Sequence, residues 1–254
     1  MNYKFKQIAK LNKLNDTILI EGLPGIGNVG KIAVDFMIDN LKAKKIYQIY
    51  SHSFPHAVFI NEENLVELPR IEIYYKKVKN KDVLLLAGDI QPIDESSCYD
   101  FCESVLDNVS KYKVKEIITI GGIGLQHIPQ NPKVYCTSND KDIVKKYKSK
   151  NLTNNIFGVV GPIIGVSGLL VGLAQQRNIP AMALLAETFH HPTYLGIKGA
   201  REVLKIIDDK HKLGLELGKL DDEIFEIEKE IKTKTKEFSK LQQRKDNTRT
   251  DYIG

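Results

Sequence analysis

The residues best placed to do chemistry gather in Glu21-Gly22-Leu23-Pro24-Gly25-Ile26-Gly27-Asn28-Val29-Gly30. Gly25, Gly27 and Gly30 spell G-x-G-x-x-G, the pattern by which a strand-to-helix turn aims unpaired helix N-terminal N–H groups at a phosphate. Two parts of a nucleotide site are missing. A dinucleotide fold wants an acidic residue about 20 residues further on to hold the ribose hydroxyls, whereas the segment there ends in Ser51-His52-Ser53. A phosphate loop of the G-x-x-x-x-G-K-[ST] kind needs Ser or Thr after its lysine, and Lys31 is followed by Ile32. These gaps favour a tight turn whose glycines serve packing over a phosphate cradle.

The remaining reactive side chains are scattered. His52 and His56 lie four apart, yet Pro55 between them opposes a helix, and no cysteine or carboxylate nearby completes a ligand set. Cys98, Cys102 and Cys136 lack zinc spacing and read as buried reduced thiols. Asp89, Gly121-Gly122-Ile123-Gly124 and Glu187-Thr188-Phe189-His190-His191 each follow an apolar run. An enzyme would set Glu187, His190 or His191 to general acid–base work there, with the glycine turns holding phosphate. The plainer expectation is that polar residues finish strands at the surface. No catalytic residue, cofactor or metal ligand is assigned.

The elements that would position these groups follow from periodicity. Apolar runs at residues 17–20, 45–50, 82–87, 116–120 and 181–186 read as strands, several of them buried on both faces. Helices are expected at residues 31–41, from the Asp94 cap onward, and at 163–177, where small residues would let another element approach closely. The small-residue helix is placed against the sheet or at a subunit contact. Residues 57–60, 65–68 and 70–78 read as an antiparallel hairpin insertion, because Ile71, Ile73 and Tyr75 alternate with Glu72, Tyr74 and Lys76. Strands interleaved with helices predict an α/β fold, a three-layer α/β/α sandwich with a mostly parallel sheet. Ligands on such sheets bind beyond the strands' carboxyl ends. That would gather the glycine turn, Asp89, Gly121 to Gly124 and the 187–191 segment on one rim.

Beyond an amphipathic helix at residues 200–210 the pattern changes. Leu213, Leu217, Leu220, Ile224, Ile227, Ile231, Phe238 and Leu241 step by four and three, with Lys234 in one seam position. Gly214 and Gly218 weaken the start, so a continuous coil is expected from Leu220. Acidic residues crowd its first half and lysines its second, which suits antiparallel pairing. The chain is therefore read as a globular domain over residues 1–212, a helical coiled-coil arm over 213–245 and a flexible tail over 246–254.

Composition narrows the class. The 254 residues are 42% hydrophobic and 27% charged, ordinary for a globular protein. No apolar run spans a bilayer and residues 1–10 lack the apolar core of a signal peptide, so the expected location is cytoplasmic. A formal charge of +5, spread over many lysines, does not make the concentrated basic face that nucleic acid requires.

The glycine turn at 21–30, then Gly121-Gly122-Ile123-Gly124, then Gly161-Pro162-Ile163-Ile164-Gly165-Val166-Ser167-Gly168-Leu169-Leu170, with residues 180–187 and a helical arm behind, resembles the PAC2 family of proteasome assembly chaperones in its archaeal form. The resemblance implies a three-layer fold similar to nucleoside phosphorylases and self-assembly into homo-oligomers. It also implies a non-enzymatic role in assembling proteasome α-subunit rings, with α subunits or the 20S core particle as partner. Some members resemble proteasome activators in docking a C-terminal hydrophobic-Tyr-any tripeptide between α subunits. Here Tyr252 stands third from the end, and Tyr252, Ile253 and Gly254 are the expected contact. The alternative is an enzyme that binds a nucleotide or phosphorylated metabolite on its glycine-rich rim.

Overall fold

The structure, a computed structural model, describes residues 3–222 and 224, apart from 12, 62, 148, 149, 151, 154 and 157–160. β1 (Tyr3–Gln7) and β2 (Thr17–Gly22) come first; a 3-10 turn at Ile26–Asn28 then leads into α1 (Val29–Leu41). β3 (Lys44–Ser51), β4 (Phe59–Ile60), β5 (Val66–Glu67), β6 (Ile71–Val78) and β7 (Lys81–Gly88) follow, then α2 (Glu95–Ser110) and β8 (Val114–Leu125). β9 (Val134–Ser138), α3 (Lys141–Lys145), β10 (Leu152–Thr153), α4 (Val166–Gln176), β11 (Ala181–Phe189) and α5 (Ile197–His211) complete the order.

One sheet runs β1-β3-β6-β7-β2-β8-β11-β9-β10, and β4 with β5 forms a separate two-stranded hairpin. Its centre, β7-β2-β8-β11, is parallel, while β1, β3 and β6 add antiparallel on one side and β9 pairs antiparallel with β11 on the other. The sheet is thus mixed, not mostly parallel. The expectation erred because β6 and β7 are joined through a two-residue turn at residues 79–80, which returns the chain antiparallel with no helix between. For the same reason residues 71–78 belong to the main sheet, and only β4 and β5 stand apart as a hairpin.

Helices cover both faces. Alternation along β2 sends Leu19 into a core with Leu84, Leu86, Ile117 and Leu185, under Phe101 and Val105 of α2 and Leu170 of α4. The neighbouring Ile18 and Ile20, equally buried, fall on the opposite face, where α1 and α5 pack together over β2, β8 and β11. Asp94 caps α2 as its sequence predicts, its carboxylate accepting from Ser97 N at 2.9 Å. No helix among the described residues is long and apolar enough to cross a membrane.

The chain divides into two compact units, Met1–Leu215 and Glu216–Gly254. In the second, residues 218–222 and 224 are helical and Leu217 lies outside helix, as does Leu213 in the first. The rest of the heptad arm and the tail with Tyr252, Ile253 and Gly254 lie outside the described residues.

Candidate functional site

The rim expected from the sequence is assembled in part. β2, β7, β8 and β11 run parallel, so the 23–28 turn, Asp89, the end of β8 and the end of β11 meet at one side of the sheet. A cleft of about 330 Å³ opens there between the turn, β8 and the loop before α4, lined among others by Pro24, Ile26, Gln91, Gly122, Ile163 and Ser167. Gly121 to Gly124 do not form a turn. They continue β8 in register with Leu185 to Thr188 of β11.

Close approach explains the glycines. A Cβ on Gly122 would stand 2.2 Å from the Ile26 carbonyl oxygen, one on Gly30 2.4 Å from that of Ile120, and one on Gly22 2.1 Å from that of Gly30. The turn therefore lies directly on the backbone of β8, and α1 starts against it. Gly27 takes φ +61 beneath the Thr188 side chain. Among the described residues the buried Thr188 hydroxyl has no hydrogen-bond partner.

Three N–H groups beside the cleft are engaged within the protein itself. Leu23 N donates to Glu21 Oε1 at 3.0 Å and Asn28 N to Gly25 O at 2.9 Å. At the start of α4, Val166 N donates to Gln91 Oε1 at 3.3 Å, while Gln91 Nε2 donates to Pro24 O at 2.8 Å and so ties that helix to the turn. These bonds support the packing role of the turn over the phosphate cradle.

Sequence reasoning overlooked Glu21 as a functional group. Its side chain is 0% exposed at the carboxyl end of β2, and Ser167 Oγ–H donates to Oε2 at 2.9 Å. Burial drives its pKa up to about 7, against the two hydrogen bonds that pull it down. The signal was an acidic residue closing an otherwise apolar strand. Chemically the group is a tether, linking β2, the glycine turn and α4 through a carboxyl that changes charge near neutral pH. Such a group beneath the cleft also repels an anion once ionised.

The acid–base candidates are employed elsewhere. Glu187 accepts from Lys133 N at 2.9 Å and from Tyr135 OH at 3.2 Å, which fastens β11 to β9. His191 stacks on Phe189 with ring centroids 5.6 Å apart and meets Thr193 Oγ1 at 3.0 Å. His190 packs its Cβ over Gly124. Asp89 faces Lys31 at 3.7 Å and Arg70 at 3.9 Å. None of these four lines the cleft. His52 and His56 lie in the loop after β3, and no cluster of metal-ligating side chains occurs among the described residues. Cys98, Cys102 and Cys136 are buried thiols, as expected.

Comparison with known proteins places this architecture. The crystal structure of Pyrococcus furiosus PbaB, an archaeal proteasome activator, superposes with a TM-score of 0.84 at 30% identity, covering 91% of this chain and 98% of that one. Pyrococcus furiosus PbaA, an archaeal homolog of proteasome-assembly chaperone, shares the fold with a TM-score of 0.74 at 21% identity, over 98% of this chain and 99% of PbaA. An uncharacterised protein of Methanocaldococcus jannaschii is 28% identical over 190 residues, which is 75% of this chain and 71% of the relative. The PAC2 family model matches residues 19–234, and the chain belongs to the PAC2 family.

Proposed function

We propose that this chain is a non-enzymatic proteasome assembly chaperone that binds proteasome α subunits as a homo-oligomer in the cytoplasm. The observation that carries the reading is the PAC2 family match over residues 19–234, supported by the shared fold of PbaA, described as a homolog of proteasome-assembly chaperone, and by the match to PbaB along nearly the whole of both chains. The rim adds support, because Leu23 N, Val166 N and the Glu187 carboxylate are engaged in holding the fold. In this reading the fold keeps the nucleoside-phosphorylase-like architecture without its chemistry. The coiled-coil arm begins at Leu220 and runs to residue 245, and Tyr252, Ile253 and Gly254 make the terminal contact.

A second reading, activation of an assembled core particle, is favoured by the description of PbaB as an activator. Both readings share the α-subunit surface, so one experiment addresses them. The full chain and a version ending at Lys245 are co-purified with α subunits and with the assembled core, and read by native mass spectrometry. Capture of α subunits that is lost on truncation is the expected result. Capture of the assembled core alone, with faster peptide hydrolysis, would favour activation; capture of neither would sink both. A stabilising thermal shift with ATP, ribose phosphates or phosphate would instead revive the enzyme alternative, since a ligand at 100 times its Kd adds about 2.7 kcal/mol.

A further inference from the structure

The cleft beside the glycine turn sits where neighbouring strands part. β7, β2 and β8 are adjacent and parallel, yet β2 leads into α1 on one face of the sheet and β7 into α2 on the other. Chains that leave in opposite directions open a crevice beyond the strands' carboxyl ends, and ligands of open α/β sheets bind at such points. The crevice here holds about 330 Å³, a volume at the lower end of small-molecule sites.

Its floor is the edge of β8. Pairing with β2 stops at Glu21 opposite Thr119, whereas β8 continues to Leu125. Ile117 N donates to Pro180 O at 3.0 Å and His190 N to Leu125 O at 2.8 Å, so the odd-numbered residues of β8 turn their backbone groups toward β11. Peptide groups alternate sides along a strand, and Gly122 and Gly124 therefore turn theirs the other way, toward the cleft that both line. Among the described residues no strand pairs with that side of them.

The walls limit what pairs there. Leu23, Ile26, Pro162 and Ile163 are apolar, and no charged side chain among the described residues lines the cleft. Its two polar side chains are taken: Gln91 bridges Val166 N and Pro24 O, and Ser167 donates to the buried Glu21. An anion entering would find no cation to meet it. We propose that the cleft binds an uncharged, flat small molecule whose edge carries an N–H and a carbonyl side by side, as in an aromatic amide or lactam. On an extended strand the carbonyl of one residue and the N–H of the next but one face the same way. Gly122 O would accept from the ligand's N–H and Gly124 N would donate to its carbonyl, with the ring among the apolar walls. A ligand held this way is independent of any contact with α subunits.

The test uses the full-length chain, carbon-13 labelled at its isoleucine methyls. It is titrated with benzamide and nicotinamide and, separately, with benzoate and nicotinate, which match them in shape but are ionised at neutral pH and lack the N–H. The amides should bind at least ~10-fold tighter, because a carboxylate buries a charge and leaves Gly122 O unpaired. Methyl shifts should appear at Ile26, Ile163 and Ile164, which line the cleft, and not at Ile60 on the β4–β5 hairpin. Gly25 also lines the cleft, and a Cβ added there meets no atom within 4 Å. Gly25→Leu should therefore keep the fold while amide affinity falls ~10-fold or more. No saturable amide binding below about 10 mM, equal binding of amide and carboxylate, unchanged affinity in Gly25→Leu, or shifts confined to isoleucines away from the cleft overturns the proposal.

Discussion

Replacing Glu21 by glutamine should stabilise the protein at neutral and alkaline pH while changing little in acid. Glu21 has no exposed surface, and burial raises its pKa from 4.5 to about 7. In the unfolded chain it ionises near 4.5, so between those values the folded state holds a proton that the unfolded state has lost. Its contribution is therefore complete below pH 4.5 and declines as pH rises to about 7. Each pH unit of the window is worth about 1.4 kcal/mol, so the ionised form costs on the order of 3 kcal/mol at pH 8. In the Glu21→Gln variant the amide oxygen still accepts from Leu23 N and the amide nitrogen donates to Ser167 Oγ, so the tether survives without charge. Guanidinium unfolding at steps from about pH 4.5 to 8.5 measures the difference between wild type and Glu21→Gln. That difference should grow by about 3 kcal/mol in favour of the variant across the series. Ser167→Ala removes a bond that lowers the pKa, so it should carry the decline in stability above pH 7. A pH-independent difference, or a variant weaker than wild type at pH 8, would refute the burial argument.

Three further outcomes follow from the same geometry. Gly122→Ala drives a methyl into the Ile26 carbonyl and should destabilise by about 1–3 kcal/mol, whereas Gly172→Ala on α4 meets open space and should stabilise by up to about 1 kcal/mol, both read by thermal unfolding. Thr188→Val keeps the shape and removes a buried hydroxyl that has no partner among the described residues, so the variant should gain about 1–2 kcal/mol in the same assay. Lys81 Nζ donates to His211 Nδ1 at 3.2 Å, leaving Nε2–H for Tyr147 OH at 2.7 Å, and burial foremost lowers the His211 pKa from 6.5 to about 4. The folded state then binds fewer protons than the unfolded one between those values. In the Glu21→Gln background, stability should fall by about 3 kcal/mol as pH drops from 6.5 to 4, and His211→Gln should flatten that loss.

The legible parts of the fold were those set by local chemistry. Apolar runs marked β2, β7, β8 and β11 because each is buried on both faces, and Asp94 announced α2 because a cap is decided within four residues. What failed depends on contacts distant in sequence. The direction of β6 rests on a turn of two ordinary residues, one of them Lys79 in left-handed geometry, which no glycine signals. Gly121 to Gly124 looked like punctuation. Each glycine frees the backbone to turn or lets another backbone come close, and only the position of Ile26, about a hundred residues away, decides between the two. Glu21 showed itself only as an acidic residue closing an apolar strand, and its role as a tether stayed hidden because its partner Ser167 lies 146 residues on.

That ambiguity bears on how the glycine rim should be weighed in any protein of this shape. A phosphate cradle and a packing turn draw on the same sequence, strand, glycines, helix, and differ in where the N–H groups point. In this chain Glu21 takes Leu23 N and Gln91 takes Val166 N, so two side chains already satisfy what a ligand would have to satisfy. A ligand that drew on those two donors would have to displace a carboxyl and an amide that also hold the turn to α4. The β4–β5 hairpin has the opposite character: Ile60 and Val66 gain nothing by staying in water, and covering them disturbs no existing bond. The favourable free energy still open to this molecule therefore lies on its outer apolar surface rather than in those two donors, which is the distribution a protein that works by binding other proteins should have.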